Sequence, residues 1–407
     1  IVGGGFITGF QLQALRQIHG VEVAGFVSKD PLDQVVAYTQ ANHLGEGRVY
    51  NSVREMAANV DVVAVFVPNF ARLEVIEETV EAVKAGAALK AIVCEKPLAR
   101  NMAEARRMLA VLGQVDVPTA YFENQVHMKA LTAVRQQMSR VMDSMGSPLL
   151  LRSNEEHAGP HKGWFWDPTR QGGGVMSDMG CHCLAVGWHM LTPPGKPVDF
   201  LRPQSIQADL SLLKWGQPRW RKELLDRFGV DYGKTPAEDF ATGIVTYKNP
   251  ETNQLVKAQF TVSWMYDKQG LRLLCDGLGA GYAFEFNTLR SPLELFIGDV
   301  AADTVADAEA ALEKSQSTRG LLAVQPNEAD LYGYTDENVD LVEAIAQGRR
   351  PLLDCNYGLE IVRLTMAAYL SAERGAVVDL TDPATLEELE TYVPLIQQGR
   401  GAELLAV

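Results

Sequence analysis

Two short stretches of this chain hold residue types that could move a proton and stabilise an oxyanion. The first is Glu95-Lys96-Pro97, directly after the apolar run Ala91–Cys94. A lysine there sets a cation at the carboxyl end of a buried strand, the place where open parallel sheets bind ligands. The second is Gly172-Gly173-Gly174, followed by Asp178 and His182. On a helix over 175–191 these two residues are i and i+4 and share a face. A carboxylate beside an imidazole orients the ring and favours its protonated form. Oxidising an alcohol requires removal of a hydroxyl proton as hydride leaves carbon. His182 is the candidate base, Asp178 its orienter or a ligand of the reacting hydroxyl. Lys96 is the candidate stabiliser of the developing alkoxide.

Such chemistry needs a hydride carrier, and the opening of the chain offers a seat for one. Ile1-Val2 reads as a strand end, Gly3-x-Gly5 as a tight turn, and Phe10–His19 as a helix closed by Gly20. Val21–Val27 then reads as a buried parallel strand. In that context the glycines let the backbone approach a pyrophosphate, and the helix start offers N–H groups and a positive dipole end. The chain opens inside the expected first strand, so a few residues are expected ahead of Ile1.

The elements that must position these groups alternate through the front of the chain. Pro31–His43 is expected to be helical, and Ser52 to cap a short helix ending near Asn59. A strand Asp61–Val67 ends at Pro68-Asn69, and a helix Ala71–Ala85 stops at Gly86. Asn101 with Glu104 forms a capping-box start for Met102–Leu112, and Val117–Phe122 is a further strand. Alternation of this kind predicts a doubly wound parallel sheet with right-handed crossovers. After Phe122 the texture changes. A helix is expected over 127–143. Strands are expected at Leu149–Asn154, Ser205–Leu213, Ala241–Tyr247, Leu255–Trp264, Leu271–Asp276 and Ala283–Phe286, and helices return at Glu337–Gln347 and Tyr357–Arg374. The expected architecture is an α/β Rossmann domain over 1–122. An α+β domain with a large, mostly antiparallel, open-faced sheet is expected over 123–407, its last helices available to pack back on the first. The polar and aromatic insertion Lys214–Pro236 receives no role.

Composition narrows the partners. The net charge of −14 argues against nucleic acid and anionic membrane surfaces. No apolar run approaches the ~18 residues of a membrane span, and no signal peptide is visible. Five scattered cysteines suit reduced thiols in the cytoplasm. Cys94 and Cys275 read as small buried hydrophobes. Cys181, His182, Cys183 and His189 cluster in sequence, but adjacent helical residues point in different directions and no Cys-x-x-Cys is present, so no metal is expected.

The chain resembles the Gfo/Idh/MocA oxidoreductases, the glucose–fructose oxidoreductase and inositol dehydrogenase family. The likeness rests on Gly3-x-Gly5-x-Ile7, Pro68-Asn69, Cys94-Glu95-Lys96-Pro97-Leu98, and Gly172-Gly173-Gly174 leading to Asp178-x-Gly180-x-His182. It covers nearly the whole chain. It implies a nicotinamide cofactor, sugar-like polyol substrates and an open-sheet domain that often forms homodimers or homotetramers. Lys96, Asp178 and His182 match the family's motif residues. Thr8 departs from the pattern where a glycine is usual, Gln11 and Arg72 where histidines are common, and Ser28 where an acidic residue often stands.

Candidate cofactor contacts are Gly3, Gly5, Phe6, Ile7, Ser28, Lys29, Pro68, Asn69, Glu95 and Lys96. Ser28 and Lys29 can hold a 2′-phosphate, which leans the choice to NADP, while Asp30 keeps NAD in play. His157, His161, Trp164 and Trp166 precede the triple glycine. Indole faces stack on sugar rings, so His157 and Trp166 join Lys96, Asp178 and His182 as candidate substrate contacts. The leading expectation is an NAD(P)-dependent dehydrogenase of a sugar, glycoside or polyol. An enzyme that cleaves or rearranges a glycoside by transient oxidation, with its NAD retained, is the alternative. A dinucleotide-binding protein without catalysis comes third.

Overall fold

The computed structural model describes residues 1–268, 270–290, 294–297, 320–323 and 327–405. They form two compact units. One comprises Ile1–Lys129 and Tyr332–Arg363, the other Ala130–Leu331 and Leu364–Val407.

The first unit is a parallel α/β sheet. Strands Val62–Val65, Ala91–Glu95 and Thr119–Phe122 pair in parallel. Val2 bridges both Val65 and Val27, and Gly25–Phe26 pairs in parallel with Arg48–Val49. The spatial order is therefore third, second, first, fourth, fifth, sixth, the doubly wound arrangement. The middle strand is buried along its whole length, as its apolar run Ala91–Cys94 demands. Phe66, Ala91, Val93, Ala120, Phe122 and Leu341 make one core cluster, and Leu12, Val23, Phe26, Leu32 and Val35 another.

Local signals set most boundaries here. Ser52 accepts the Glu55 N–H at 3.1 Å and starts the helix Val53–Ala57. Asn101 accepts the Glu104 N–H at 3.0 Å and starts Met102–Leu112. Two expectations need correction. The first helix is Phe6–Leu15 rather than Phe10–His19, because it begins directly at the glycine turn. The run Val21–Val27 yields only the short strand Gly25–Phe26 with a bridge at Val27, and Val21 is exposed. The returning helix Tyr334–Gln347 packs on the first helix. Just ahead of that helix, Gly333 passes close to the 124–128 segment, since a Cβ there would stand 2.0 Å from the Asn124 carbonyl oxygen.

The second unit is built on a seven-stranded sheet among the described residues. Its order is Tyr282–Asn287, Arg272–Gly279, Leu150–Glu156, Leu255–Ser263, Phe240–Lys248, Arg202–Ser211 and Val378–Asp379. All neighbours are antiparallel except Leu150–Glu156 with Leu255–Ser263. Along Leu255–Ser263, Leu255, Lys257 and Gln259 are exposed while Val256, Ala258, Phe260 and Val262 are buried. That period of two marks a sheet with one solvated face. The helix Cys181–Leu191 packs against the two parallel strands and is buried throughout. Gly187 lets it approach, because a Cβ there would lie 2.8 Å from that of Ala258. The insertion Lys214–Pro236 contains the helix Pro218–Phe228, which buries Leu224. No helix among the described residues is long and apolar enough to cross a membrane.

Candidate functional site

The first unit gathers the expected cofactor contacts at the carboxyl ends of its parallel strands. Gly3 has φ +107°, and a Cβ on it would meet the Phe66 carbonyl oxygen at 2.5 Å. Thr8 stands where a third glycine is usual, and it fits by turning inward. Its Oγ1 is buried and donates to the Gly3 carbonyl at 3.0 Å, closing the turn. Gly5 caps the helix Phe6–Leu15 without any side-chain cap bond, and no acidic residue lies in the first turn. Nothing stands within 4 Å of a Cβ added at Gly5. An amino end with its dipole unscreened and open space before it suits a pyrophosphate. These residues fit a dinucleotide.

At the end of the second strand, Ser28 Oγ accepts the Asp30 N–H at 3.0 Å. Lys29 and Glu74 approach to 3.9 Å, but both are highly exposed, and such a pair is worth about 0–1 kcal/mol.

Arg72 was visible in sequence only as a departure, and the structure gives it a task. Its guanidinium is buried and donates to the carbonyl oxygens of Pro97, Leu98 (3.4 Å) and Val67 (3.3 Å) and to Asn69 Oδ1 (3.4 Å). It therefore ties the Pro68-Asn69 turn to the Lys96-Pro97 turn. Burial lowers its pKa, and Cys94 and Glu95 oppose that change. The Lys96–Pro97 bond is cis. Glu95 is buried and accepts the Lys96 N–H at 2.9 Å, while Lys96 itself is half-buried. Gln11, the other departure, donates to Glu337 Oε1 at 2.8 Å and accepts from Asn338 Nδ2 at 2.6 Å. Burial, with a contribution from Glu95, raises the Glu337 carboxyl well above the ordinary range.

The second unit holds Asp178, His182, His157 and Trp166. Asp178 and His182 are 5 % and 4 % exposed. The expected regular helix over 175–191 opens instead as a π turn, Met176–Gly180, before the α-helix Cys181–Leu191. Single π turns of this kind are frequent at functional sites. His157 is buried, and its Nδ1 accepts the Gly159 N–H at 2.9 Å. A neutral ring there carries its proton on Nε2.

Trp166 needs correction. It is 1 % exposed, its Nε1 donates to the Pro160 carbonyl at 3.0 Å, and its ring packs against Trp215, Phe228, Tyr232 and Trp264. Three of those neighbours come from the 214–236 insertion, which covers the indole and leaves it no face for a sugar ring. It anchors the 157–166 loop. His161 and Trp164 are half-buried.

Cys94, Cys181, Cys183, Cys275 and Cys355 are all buried free thiols, and burial raises Cys183 and Cys275 above the usual thiol range. Among the described residues no group of three or more His, Cys, Asp or Glu side chains is placed to hold a metal ion.

Comparison with known proteins follows the same division. Residues 1–121 match the model described as "Oxidoreductase family, NAD-binding Rossmann fold", and residues 136–277 match "GFO/IDH/MocA C-terminal domain". A 1,5-anhydro-D-fructose reductase of Ensifer adhaerens is 30 % identical over 166 residues, which is 40 % of this chain and 47 % of that protein. The chain thus matches about half the length of that relative. Among solved structures, GenD2 from gentamicin A biosynthesis, in complex with NAD, is 20 % identical with a TM-score of 0.70, covering 93 % of this chain and 95 % of its own. A myo-inositol 2-dehydrogenase from Lactobacillus plantarum is 16 % identical with a TM-score of 0.63, covering 93 % and 97 %. At those identities the two structures share the fold.

Proposed function

This chain belongs to the Gfo/Idh/MocA oxidoreductases, and on that premise we propose that it transfers hydride between NAD(P) and a secondary hydroxyl of a sugar, glycoside or polyol. The observation that carries this reading is the open amino end of Phe6–Leu15 at Gly5, which follows the first strand of the same parallel sheet in which the strand ending in Lys96 lies next but one. A bound nicotinamide supplies the hydride acceptor or donor. Lys96 directs positive charge at the alkoxide as it develops. His182 takes the hydroxyl proton on a ring nitrogen, and Asp178 orients that ring. His157, buried with its Nδ1 accepting the Gly159 N–H, is a further candidate contact for a substrate hydroxyl. The names of the anhydrofructose reductase and the inositol dehydrogenase support the substrate class.

A panel of polyols, sugars and glycosides with each cofactor tests the proposal by nicotinamide absorbance and free-sugar release. A steady absorbance change with a polyol or sugar is expected. Sugar release without net absorbance change would replace dehydrogenation by transient oxidation. Binding of neither cofactor would overturn the reading altogether.

The cofactor choice leans to NADP, supported by Ser28 and the exposed Lys29 and by the lack of a carboxylate at position 28. Calorimetric titration decides it, and tenfold tighter NAD binding would sink the lean. Five buried, reduced cysteines suit a cytoplasmic setting. The solvated sheet face, with Leu255 and Leu278 exposed, suits assembly as a homodimer or homotetramer, which light scattering checks.

A further inference from the structure

The triple glycine ahead of Asp178 has a structural reason that lies more than sixty residues away, at Glu238. The first N–H groups of any helix have no partner inside it. Here neither Val175 nor the preceding glycines supply a side-chain cap. The main-chain amides of three successive residues are instead taken by one distant residue. Gly174 N–H and Met176 N–H each donate to Glu238 Oε1 at 3.0 Å, and Val175 N–H donates to the Glu238 carbonyl at 3.1 Å. The Tyr369 hydroxyl donates to the same Oε1 at 2.6 Å, and the Gly174 N–H also approaches that hydroxyl at 3.3 Å.

The glycines make room for this arrangement. A Cβ on Gly174 would stand 2.2 Å from the Glu238 carbonyl oxygen, and one on Gly173 (φ +151°) would stand 2.0 Å from Tyr369 Oη. The link to the candidate catalytic groups is short. The Asp178 N–H donates to the Gly174 carbonyl at 3.1 Å, so the residue held by Glu238 also holds the backbone of Asp178. The far end of the helix is held in a complementary way. Arg135 Nη1 donates to the carbonyls of His189 (2.7 Å) and Thr192 (3.0 Å). A carboxylate at the amino end and a guanidinium at the carboxyl end both oppose the helix dipole.

We propose that Glu238, with Tyr369, is a positioning residue for the hydride-transfer site, fixing the first turn from which Asp178 and His182 project. The proposal rests on the function proposed above. Burial pushes the Glu238 carboxyl up to about 7, against the opposing effect of Tyr369 and of the backbone N–H groups of Glu238 itself, Met176 and Gly174. Burial first, and then the nearby Glu238 carboxyl, push the Tyr232 and Tyr369 hydroxyls well above their usual range. The adjacent Asp239 is occupied by the N–H groups of Leu213, Lys214 and Trp215. Among the described residues Oε2 of Glu238 has no hydrogen-bond partner.

The test compares E238A, E238Q, Y369F and H182N in the full-length protein, by steady-state kinetics across pH and by amide hydrogen exchange. E238A should lower kcat by about 10²-fold, the loss expected for ~1 Å of misplacement. It should leave cofactor affinity intact and speed exchange at amides 174–178. E238Q keeps an acceptor oxygen and should restore most of kcat. Should E238A fail to fold, Y369F, which removes one donor, should show the same changes in weaker form. Faster exchange with unchanged kcat and pH profile would make the clamp merely structural and overturn the inference. If H182N keeps its activity, the functional reading fails instead, so the two failures are told apart.

Discussion

Two helices in this protein begin behind glycines, and the two starts are opposites. At Gly5 the helix end is uncapped and faces open space. At Gly174 the helix end is filled by a buried carboxylate, 0 % exposed, and a tyrosine hydroxyl. A glycine within the two residues before each start adopts positive φ, Gly3 at +107° and Gly173 at +151°. The sequence texture is alike, yet one start offers its N–H groups to a ligand while the other spends them on its own chain. A glycine-rich lead-in therefore says that something comes close to the backbone. Whether that something is a ligand or a side chain depends on residues far along the chain.

The largest effect that would break this contrast is chemical. Lys96→Ala should lower kcat by about 10²-fold or more, since a charge directed at a developing alkoxide is worth several kcal/mol. Cofactor binding at the Gly5 start should change less, and calorimetry beside kinetics checks both. Normal turnover in Lys96→Ala would remove the lysine from the mechanism.

Next is the pH dependence of the filled start. Glu238 has its folded pKa raised to about 7 from an ordinary 4.5. The folded state thus binds the proton more tightly than the unfolded chain. The resulting stability is fully present below about pH 4.5 and is lost as pH rises through 7, by roughly 3 kcal/mol at full extent. Denaturant unfolding across that range should show this slope in the wild type and not in Glu238→Gln. Equal slopes in the two proteins would mean the carboxyl is not held as described.

Paired alanines sharpen the contrast further. Gly174→Ala forces a Cβ onto Glu238 and should destabilise the fold by about 1–3 kcal/mol, as overpacking does. Gly5→Ala meets no atom of the protein and should leave stability within about 0.5 kcal/mol, while weakening dinucleotide binding. Equal thermal shifts for the two variants would erase the distinction. The smallest effect concerns Lys29. Its exposed pair with Glu74 adds about 0–1 kcal/mol, so Lys29→Ala should not move stability but should reduce NADP affinity relative to NAD.

What was legible in the sequence was local. Asn101 with Glu104 placed the start of Met102–Leu112 because a cap needs only neighbours. The open-faced sheet was legible as a series of strand-like runs, Leu255–Trp264 among them, and burial along Leu255–Ser263 has the period of two that such a face requires. The cation at Lys96 and its strand followed from an apolar run ended by proline. What was not legible depended on distance. Nothing near Trp166 reveals that Trp215, Phe228 and Tyr232 will cover it. Arg72 stood out only as a departure where a histidine is common, yet it bonds carbonyls 25 and 26 positions away. Glu238 reaches Tyr369 across 131 positions. An acidic pair, Glu238-Asp239, just ahead of an apolar strand was the available signal, since buried carboxylates need partners.

The return of residues 332–363 to the first unit has a consequence for how the chain is made. Gln11 meets Glu337 and Asn338 at sequence separations of 326 and 327. During synthesis the nucleotide-fold half emerges early but lacks its closing helix until residues 130–331 of the second unit have been made. Through that interval the seat of Tyr334–Gln347 on the first helix stands open, with Gln11 exposed to water. The unit begun first is finished late, and contacts of such long range are slow to form. A chaperone surveying the nascent chain would find its target there rather than in the sheet that follows.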